Sequence, residues 1–353
     1  MWKVVDQLLI QAIEEDVFPG CAMAAGQGNR VLFTGVHGKV SGGDSNRVSH
    51  GTLYDVGALT RVMTTMPLIL SALEKGLISL DDPITRYFEA VPSDKRDITI
   101  LSLLTHTSGM APHFYIPQFA ENSKNALDVL LNHPLAGNVG NKVRDSSMGY
   151  ILLGFLVEKV FSMPLDEAMK RYVSIPLKQS FTGFLPTVED VATTENDVDT
   201  GELFAGIPQD DNARFLHGVA GHAGIFTQLE DICRYATMLA GTGTNEDGII
   251  FSERAIHLAI TERTRGMNAS RGYGFRIMKR SDPFLGHLWP SDGFGLSDSA
   301  SGCMLAISPE DGFFVTLLVN GHNNPQARKE MERFHKILLN TAYSVFQHVE
   351  LQK

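Results

Sequence analysis

The chain has 353 residues, 43% of them apolar and 20% charged, a globular balance that excludes a disordered chain. Its net charge of −10 and isoelectric point near 5.6 argue against nucleic acid as a partner. No stretch approaches the roughly 20 apolar residues of a membrane-spanning helix, so no membrane span is expected.

The opening "MWKVVDQLLIQAIEEDVFPG" puts Val4, Val5, Leu8, Leu9 and Ile13 on one helical face and acids on the other. This is not the basic-then-apolar layout of a signal peptide, so a cytoplasmic chain is expected. "CAMAAGQGNRVLFTGVHGKV" reads as two strands around a Gly28-Asn29 turn. Helical periodicity spans 59–87, with Gly76 as a stop and Asp81-Asp82-Pro83 opening the next turn. "ITILSLLTHTSGM" is a short helix ending in a Thr-Ser-Gly loop, and 111–143 is loop-rich.

Two helices broken near Pro164 follow in "MGYILLGFLVEKVFSMPLDEAMKRYV", then a surface excursion over 181–218. "GIFTQLEDICRYATMLAGTG" predicts a helix capped by Thr227 and closed by Gly241. Strands in "GYGFRIMKR" and "SGCMLAISPEDGFFVTLLVNG", the latter turning at Asp311-Gly312, lead to a final helix over 325–346. Strands thus cluster at both chain ends and helices fill the middle. The expected class is α/β in the α+β sense: an antiparallel sheet flanked by helices, with an inserted all-helical lobe. The sheet lobe is drawn from 1–55 and 225–353, and the mainly helical lobe is 56–224.

Cys21, Cys233 and Cys303 are odd in number and far apart, which suggests neither a disulfide framework nor a zinc site. His217 and His222 lie five apart in a glycine-rich loop, a spacing that fits a cavity wall better than metal ligation. No metal and no cofactor are expected.

Beyond these local signals, "LYDVGALTRVMTTMPLILSALEKGLISLDDPI" followed by "ITILSLLTHTSGM" resembles the serine β-lactamase and penicillin-binding-protein superfamily, in its class C-type, esterase-like branch. The resemblance continues through "SSMGYILLGFLVEKV", "GVAGHAGIFTQLEDICRYATML" and "RGYGFRIM" to "GFGLSDSASGCMLAISPEDGFFVTLLVNGHNNP". It implies a β-lactamase/transpeptidase-like fold. The "GVAGHAGIF" run looks most like members associated with muropeptide recycling. In "LLTHTSG", His106 reads as structural support for a turn.

The family's chemistry, as the resemblance implies it, rests on three motifs, and all three are degenerate here. Ser-x-x-Lys at the start of a buried helix sets an amine beside a hydroxyl, but its places hold Ala58, Leu59, Thr60 and Arg61. Alanine has no nucleophile, and arginine, with a pKa above about 12, cannot act as a base. Tyr/Ser-x-Asn becomes Asp145, Ser146 and Ser147. Lys/His-Thr-Gly becomes Ser297, Asp298 and Ser299 counted back from Pro309, or Leu296, Ser297 and Asp298 counted forward from "GFG".

Loss of a serine-hydrolase nucleophile alone costs on the order of a million-fold in turnover. The reading is therefore a family member inert in acyl transfer, a pseudoenzyme. Its expected ligand is peptide-like or cell-wall-derived, or else it engages a protein partner. The candidate ligand contacts are Arg61, Asp145, Ser147, His222, Ser297 and Asp298. Arg61 is expected to pair with Asp145, Asp298 or both, plugging the old pocket. Two alternatives stay open: an active esterase, amidase or peptidase using a relocated nucleophile such as Ser297, Ser299 or Ser301, and a structural subunit acting through its surface.

Overall fold

The computed structural model describes residues 1–41, 46–195, 203–321 and 325–350. Its main sheet has six antiparallel strands: β1 (Gly20–Gln27), β2 (Arg30–Gly38), β3 (Arg276–Ile277), β4 (Phe294–Ser297), β5 (Met304–Ser308) and β6 (Phe313–Val319), in the order β3-β4-β5-β6-β1-β2. The two chain ends meet at the sheet centre, where β1 runs against β6 with Cys21 opposite Val319 and Gln27 opposite Phe313. Hairpins form at both expected turns, Gly28 and Gly312 taking positive φ there.

Alternation along the central strands feeds two cores. One face carries Cys21, Met23, Ala25, Val315 and Leu317, packed under Leu9 of the N-terminal helix (Lys3–Glu14) and Leu338, Leu339 and Phe346 of the C-terminal helix (Pro325–Glu350). The other face carries Ala22, Ala24, Phe314 and Leu318 and meets the helix Leu229–Ala240. Because both faces are covered, β1 is built of small residues; a Cβ on Gly26 would lie 2.3 Å from the Phe314 ring.

The second core extends into the helices Met66–Glu74, Ile100–Leu104 and Ser147–Phe161. Ser147–Phe161 is apolar almost all round, as a helix surrounded by neighbours must be. Ser146 caps it, accepting a hydrogen bond from Gly149 N at 3.0 Å, and Ser162 in the left-handed region ends it. The chain breaks at Pro164 before the helix Leu165–Met169.

Local structure departs from the periodicity reading in three places. Between 59 and 87 the α-helix covers only Met66–Glu74; a 3₁₀ turn (Gly57–Leu59) and a π-helical turn (Arg61–Thr65) precede it, and a 3₁₀ turn (Ile84–Arg86) follows. The loop-rich stretch 111–143 contains the helix Ala126–Asn132. Thr227 does not cap the next helix. It ends the strand Ile225–Thr227, its hydroxyl is 2.6 Å from that of Thr182, and the N-cap is Gln228, with no side-chain bond.

That strand lies between Tyr54–Asp55 and Gly183–Phe184 in a small three-stranded sheet. Asp231, in the first turn of the helix Leu229–Ala240, fastens it: its carboxylate accepts from Phe181 N and Thr182 N, both at 2.7 Å, and from Thr182 Oγ1 at 3.0 Å. Asp231→Ala strands these donors in a buried setting and should cost about 3 kcal/mol, read from the midpoint shift in urea unfolding.

Candidate functional site

Ala58 sits in the 3₁₀ turn and Arg61 opens the π-helical turn that follows. The π turn is pinned by side chains from elsewhere: Tyr235 donates its hydroxyl to Val62 O, and Thr65 donates to Gly221 O at 2.6 Å. Thr60 turns away from the cleft, its Oγ1 accepting from Ile225 N at 3.3 Å.

Arg61 is only 7% exposed. Its Nη1 donates to Asp145 Oδ1 at 2.5 Å and its Nη2 to Ser147 Oγ at 2.9 Å. Its guanidinium carbon stands 5.7 Å from the centroid of the Tyr150 ring. A second guanidinium, Arg271, reaches the other carboxylate oxygen, Nη2 to Asp145 Oδ2, at 3.1 Å. Asp145 therefore bridges two nearly buried cations from a position that is itself 46% exposed. Burial pushes its carboxyl up, but His106, Arg61 and Arg271 outweigh burial and hold it well below the usual carboxylate range.

His106 supports this corner from behind. Its backbone lies in the left-handed region, and its Nδ1 accepts from Ser146 N at 3.0 Å, leaving the proton on Nε2. Burial pushes its pKa down to about 3, so at neutral pH it is uncharged and the two arginines carry the attraction.

Asp298 does not meet Arg61; the expected pairing is formed by Asp145 alone. Strand β4 ends at Ser297, and Asp298 turns its carboxylate onto backbone donors. Oδ1 accepts from Ala58 N at 3.2 Å, and Oδ2 accepts from Ala300 N at 3.0 Å and Ser301 N at 2.6 Å. The approach is so close that a Cβ on Gly57 would lie 2.5 Å from Asp298 Oδ2, which requires glycine at 57. Convergent backbone N–H groups of this kind stabilise a developing oxyanion in acyl transfer. Here a side chain of the same protein fills them.

Two adjoining cavities of about 220 and 250 Å³ share Ala58, Arg61, Asp298 and Arg328 in their walls. The first adds Ser147 and His222, the second Asp145, Ser297 and Ser299. All the candidate residues thus come to one cleft formed by these two cavities. Ser301 is fully buried and its Oγ accepts from Cys303 N.

Sequence reasoning missed Arg271, Asp55 and Asp210. Arg271 had only the general "RGYGFRIM" match to mark it, and neither acid lies in a degenerate motif. Asp210 caps the helix Asp211–Phe215 through Ala213 N and accepts from His222 Nε2 at 2.8 Å. Burial pushes its carboxyl up, but His222 and the Ala213 N–H outweigh this and hold it well below normal. Asp55 accepts from Gly57 N at 2.9 Å and Gln209 N at 2.7 Å. Burial dominates there and pushes its pKa up to about 6 against those two bonds.

Chemically, Ala58 offers no hydroxyl and Arg61, beside it, no deprotonatable amine. Ser147 bonds a guanidinium, which cannot take its proton. Among the described residues no cluster of three or more His, Cys, Asp or Glu side chains is placed to hold a metal ion.

Asp145→Asn should leave Arg61 and Arg271 short of counter-charge and cost about 2 kcal/mol, discounted for the exposure of Asp145 and measured by urea unfolding. For Asp55, the raised folded pKa means the unfolded chain loses its proton first. Stability should therefore fall as pH rises from about 4 to about 6, by roughly 1–3 kcal/mol from this group. Asp55→Asn should flatten that part of the stability–pH curve.

The Beta-lactamase family model matches residues 5–340. Over 364 aligned residues the chain is 25% identical to the "Putative D-alanyl-D-alanine carboxypeptidase" of Escherichia coli O157:H7, covering 92% of this chain and 83% of that protein. Among solved structures it superposes on a penicillin-binding protein homologue from Caulobacter crescentus with a TM-score of 0.76 at 18% identity, covering 97% of each chain. On the octameric homologue from Pyrococcus abyssi the TM-score is 0.73 at 20% identity, covering 95% of this chain and 77% of that one. The backbone, the ordered motif positions and the family match agree: the chain belongs to the β-lactamase family.

Proposed function

We propose that this chain is a non-hydrolysing member of the β-lactamase family that binds a small peptide-like or cell-wall-derived ligand in its cleft. The observation that carries the reading is the Asp298 carboxylate, seated on the N–H groups of Ala58, Ala300 and Ser301 beside a position with no nucleophile. An acyl-transfer site needs a backbone donor such as Ala58 N free for the substrate oxygen. Arg61, tied to Asp145 and Ser147, removes the base as well.

Ligand binding is supported by what remains of the cleft. Arg61, Arg271, Arg276 and Arg328 all line the second cavity, a setting suited to a peptide carboxylate. The relative from Escherichia coli carries the name of a D-alanyl-D-alanine carboxypeptidase, and a peptide ending in D-alanine is the corresponding ligand class. The same proposal places the protein in cell-wall recycling, in the cytoplasm.

Intact-mass spectrometry after exposure to a fluorophosphonate and to β-lactams tests the chemistry. The native chain should remain unmodified. Ala58→Ser with Arg61→Lys should label slowly, and adding Asp298→Ala should speed labelling roughly a hundredfold by freeing the backbone donors. An adduct on the native chain would overturn the non-hydrolysing reading, and equal rates for the two variants would remove Asp298 from it. Calorimetric titration with a D-alanyl-D-alanine peptide tests the ligand: the heat of binding should be lost in Arg271→Ala, and absence of heat with the native chain would refute this ligand class.

A further inference from the structure

A cavity of about 370 Å³ lies outside the cleft. Ile151 and Phe155 of the helix Ser147–Phe161 form one wall, Leu165 another, and Leu185, Leu216 and Val219 close the third. Its floor is the contact of two glycine backbones: a Cβ on Gly154 would lie 3.0 Å from Gly221 N. The cavity is small-molecule sized and mostly apolar, with a few polar groups, the pattern of a ligand site.

The third wall is held in costly backbone conformations. Leu185 has φ +51° and His217, at the rim, has φ +60°. A branched residue in the left-handed region is an outlier that surrounding structure must enforce. Leu185 is also 49% exposed, and its Cδ2 fills the space a Cβ on Gly218 would need. Folding alone gains little from holding a half-exposed leucine this way, whereas a cavity wall needs it.

Charge at the rim is unequal. Glu158 and Asp166 face the cavity, against one lysine, Lys124, which is exposed. Glu158 is half-buried, with Oε1 accepting from Leu165 N at 3.2 Å. Burial raises its carboxyl above the normal range, and Asp166 adds to the shift. A cation seated there would oppose both effects by stabilising the ionised carboxylate. The remaining polar pair, Ser123 Oγ and His217 Nε2 at 2.8 Å, satisfies itself.

We propose that this cavity is a second ligand site, separate from the cleft, for a compact apolar molecule carrying one amine, with the ammonium group against Glu158 and the apolar body between Phe155, Leu185 and Val219. The site is independent of whether the cleft binds peptide. The loop after the helix Asp211–Phe215 joins the two: Leu216, His217 and 219–221 line this cavity, and His222 and Ala223 line the cleft.

Calorimetry on the full chain with 4-phenylbutylamine and 4-phenylbutyrate tests the proposal. The amine should bind, and the carboxylate should bind about tenfold more weakly or not at all. Val219→Trp, which fills the cavity, should abolish amine binding, and Glu158→Gln should erase the preference between the two probes. Leu185→Trp, at the exposed rim, gives a second block if Val219→Trp fails to fold by circular dichroism. Equal affinity of the native chain for both probes, no binding of the amine, or amine binding unchanged in a folded blocking variant would overturn it.

Discussion

The charge of an arginine that is 7% exposed has to find negative charge or leave the interior, and the cleft is arranged around that demand at Arg61. Asp145 supplies the charge, but from a half-exposed position it also draws in Arg271. Ser147 takes the remaining Nη donor, and Tyr150 offers its ring. His106, kept neutral by burial, orders the backbone from which Asp145 and Ser147 extend. A lysine at 61 could exist in a neutral form and exchange protons. Arginine cannot, so the same backbone position that could hold a base becomes a fixed cation.

Asp298 answers a different demand. The 3₁₀ turn at 57–59 and the turn after β4 both present backbone N–H groups to one small volume. Buried donors need acceptors. In an acyl-transfer site, water or substrate meets the need. Here an aspartate meets it permanently, with Gly57 leaving room for the carboxylate. The two contacts hold different groups: one fixes the guanidinium of Arg61 on Asp145 and Ser147, the other fills backbone donors with the Asp298 carboxylate. They converge on Ala58, where the attacking atom is missing.

Around this corner the packing rests on close backbone approach. Buried small residues on β1, the apolar helix Ser147–Phe161 and the Gly154–Gly221 contact all concern how closely backbones approach, and none depends on chemistry at position 58. Core packing and cleft electrostatics thus draw on nearly separate residues.

Much of this was legible in the sequence. Hairpins at Gly28 and Gly312, the paired helices around Pro164 and the helix closed by Gly241 follow from turn chemistry and periodicity. The identities at 58 and 61 are enough to say which atoms are missing. Local pattern failed where distant parts of the chain decide the outcome. Thr227 has the chemistry of a cap, yet strand pairing and Thr182 claim it. The 59–65 stretch has helical spacing, yet Tyr235 and Gly221 hold it in 3₁₀ and π turns. Asp145 and Asp298 are both acids near a cation in the motif frame, and nothing local says which one pairs. Strand β4 ends one residue before Asp298 and turns it toward backbone donors, while Ser146 and His106 aim Asp145 at the guanidinium. The sequence by itself determined the strand-rich ends, the helical middle and the side-chain chemistry at Ala58 and Arg61, because periodicity and residue chemistry are local properties. Only the tertiary structure decided which charge meets which, because hydrogen-bond partners 84 and 240 residues apart are chosen by where the packed elements place them.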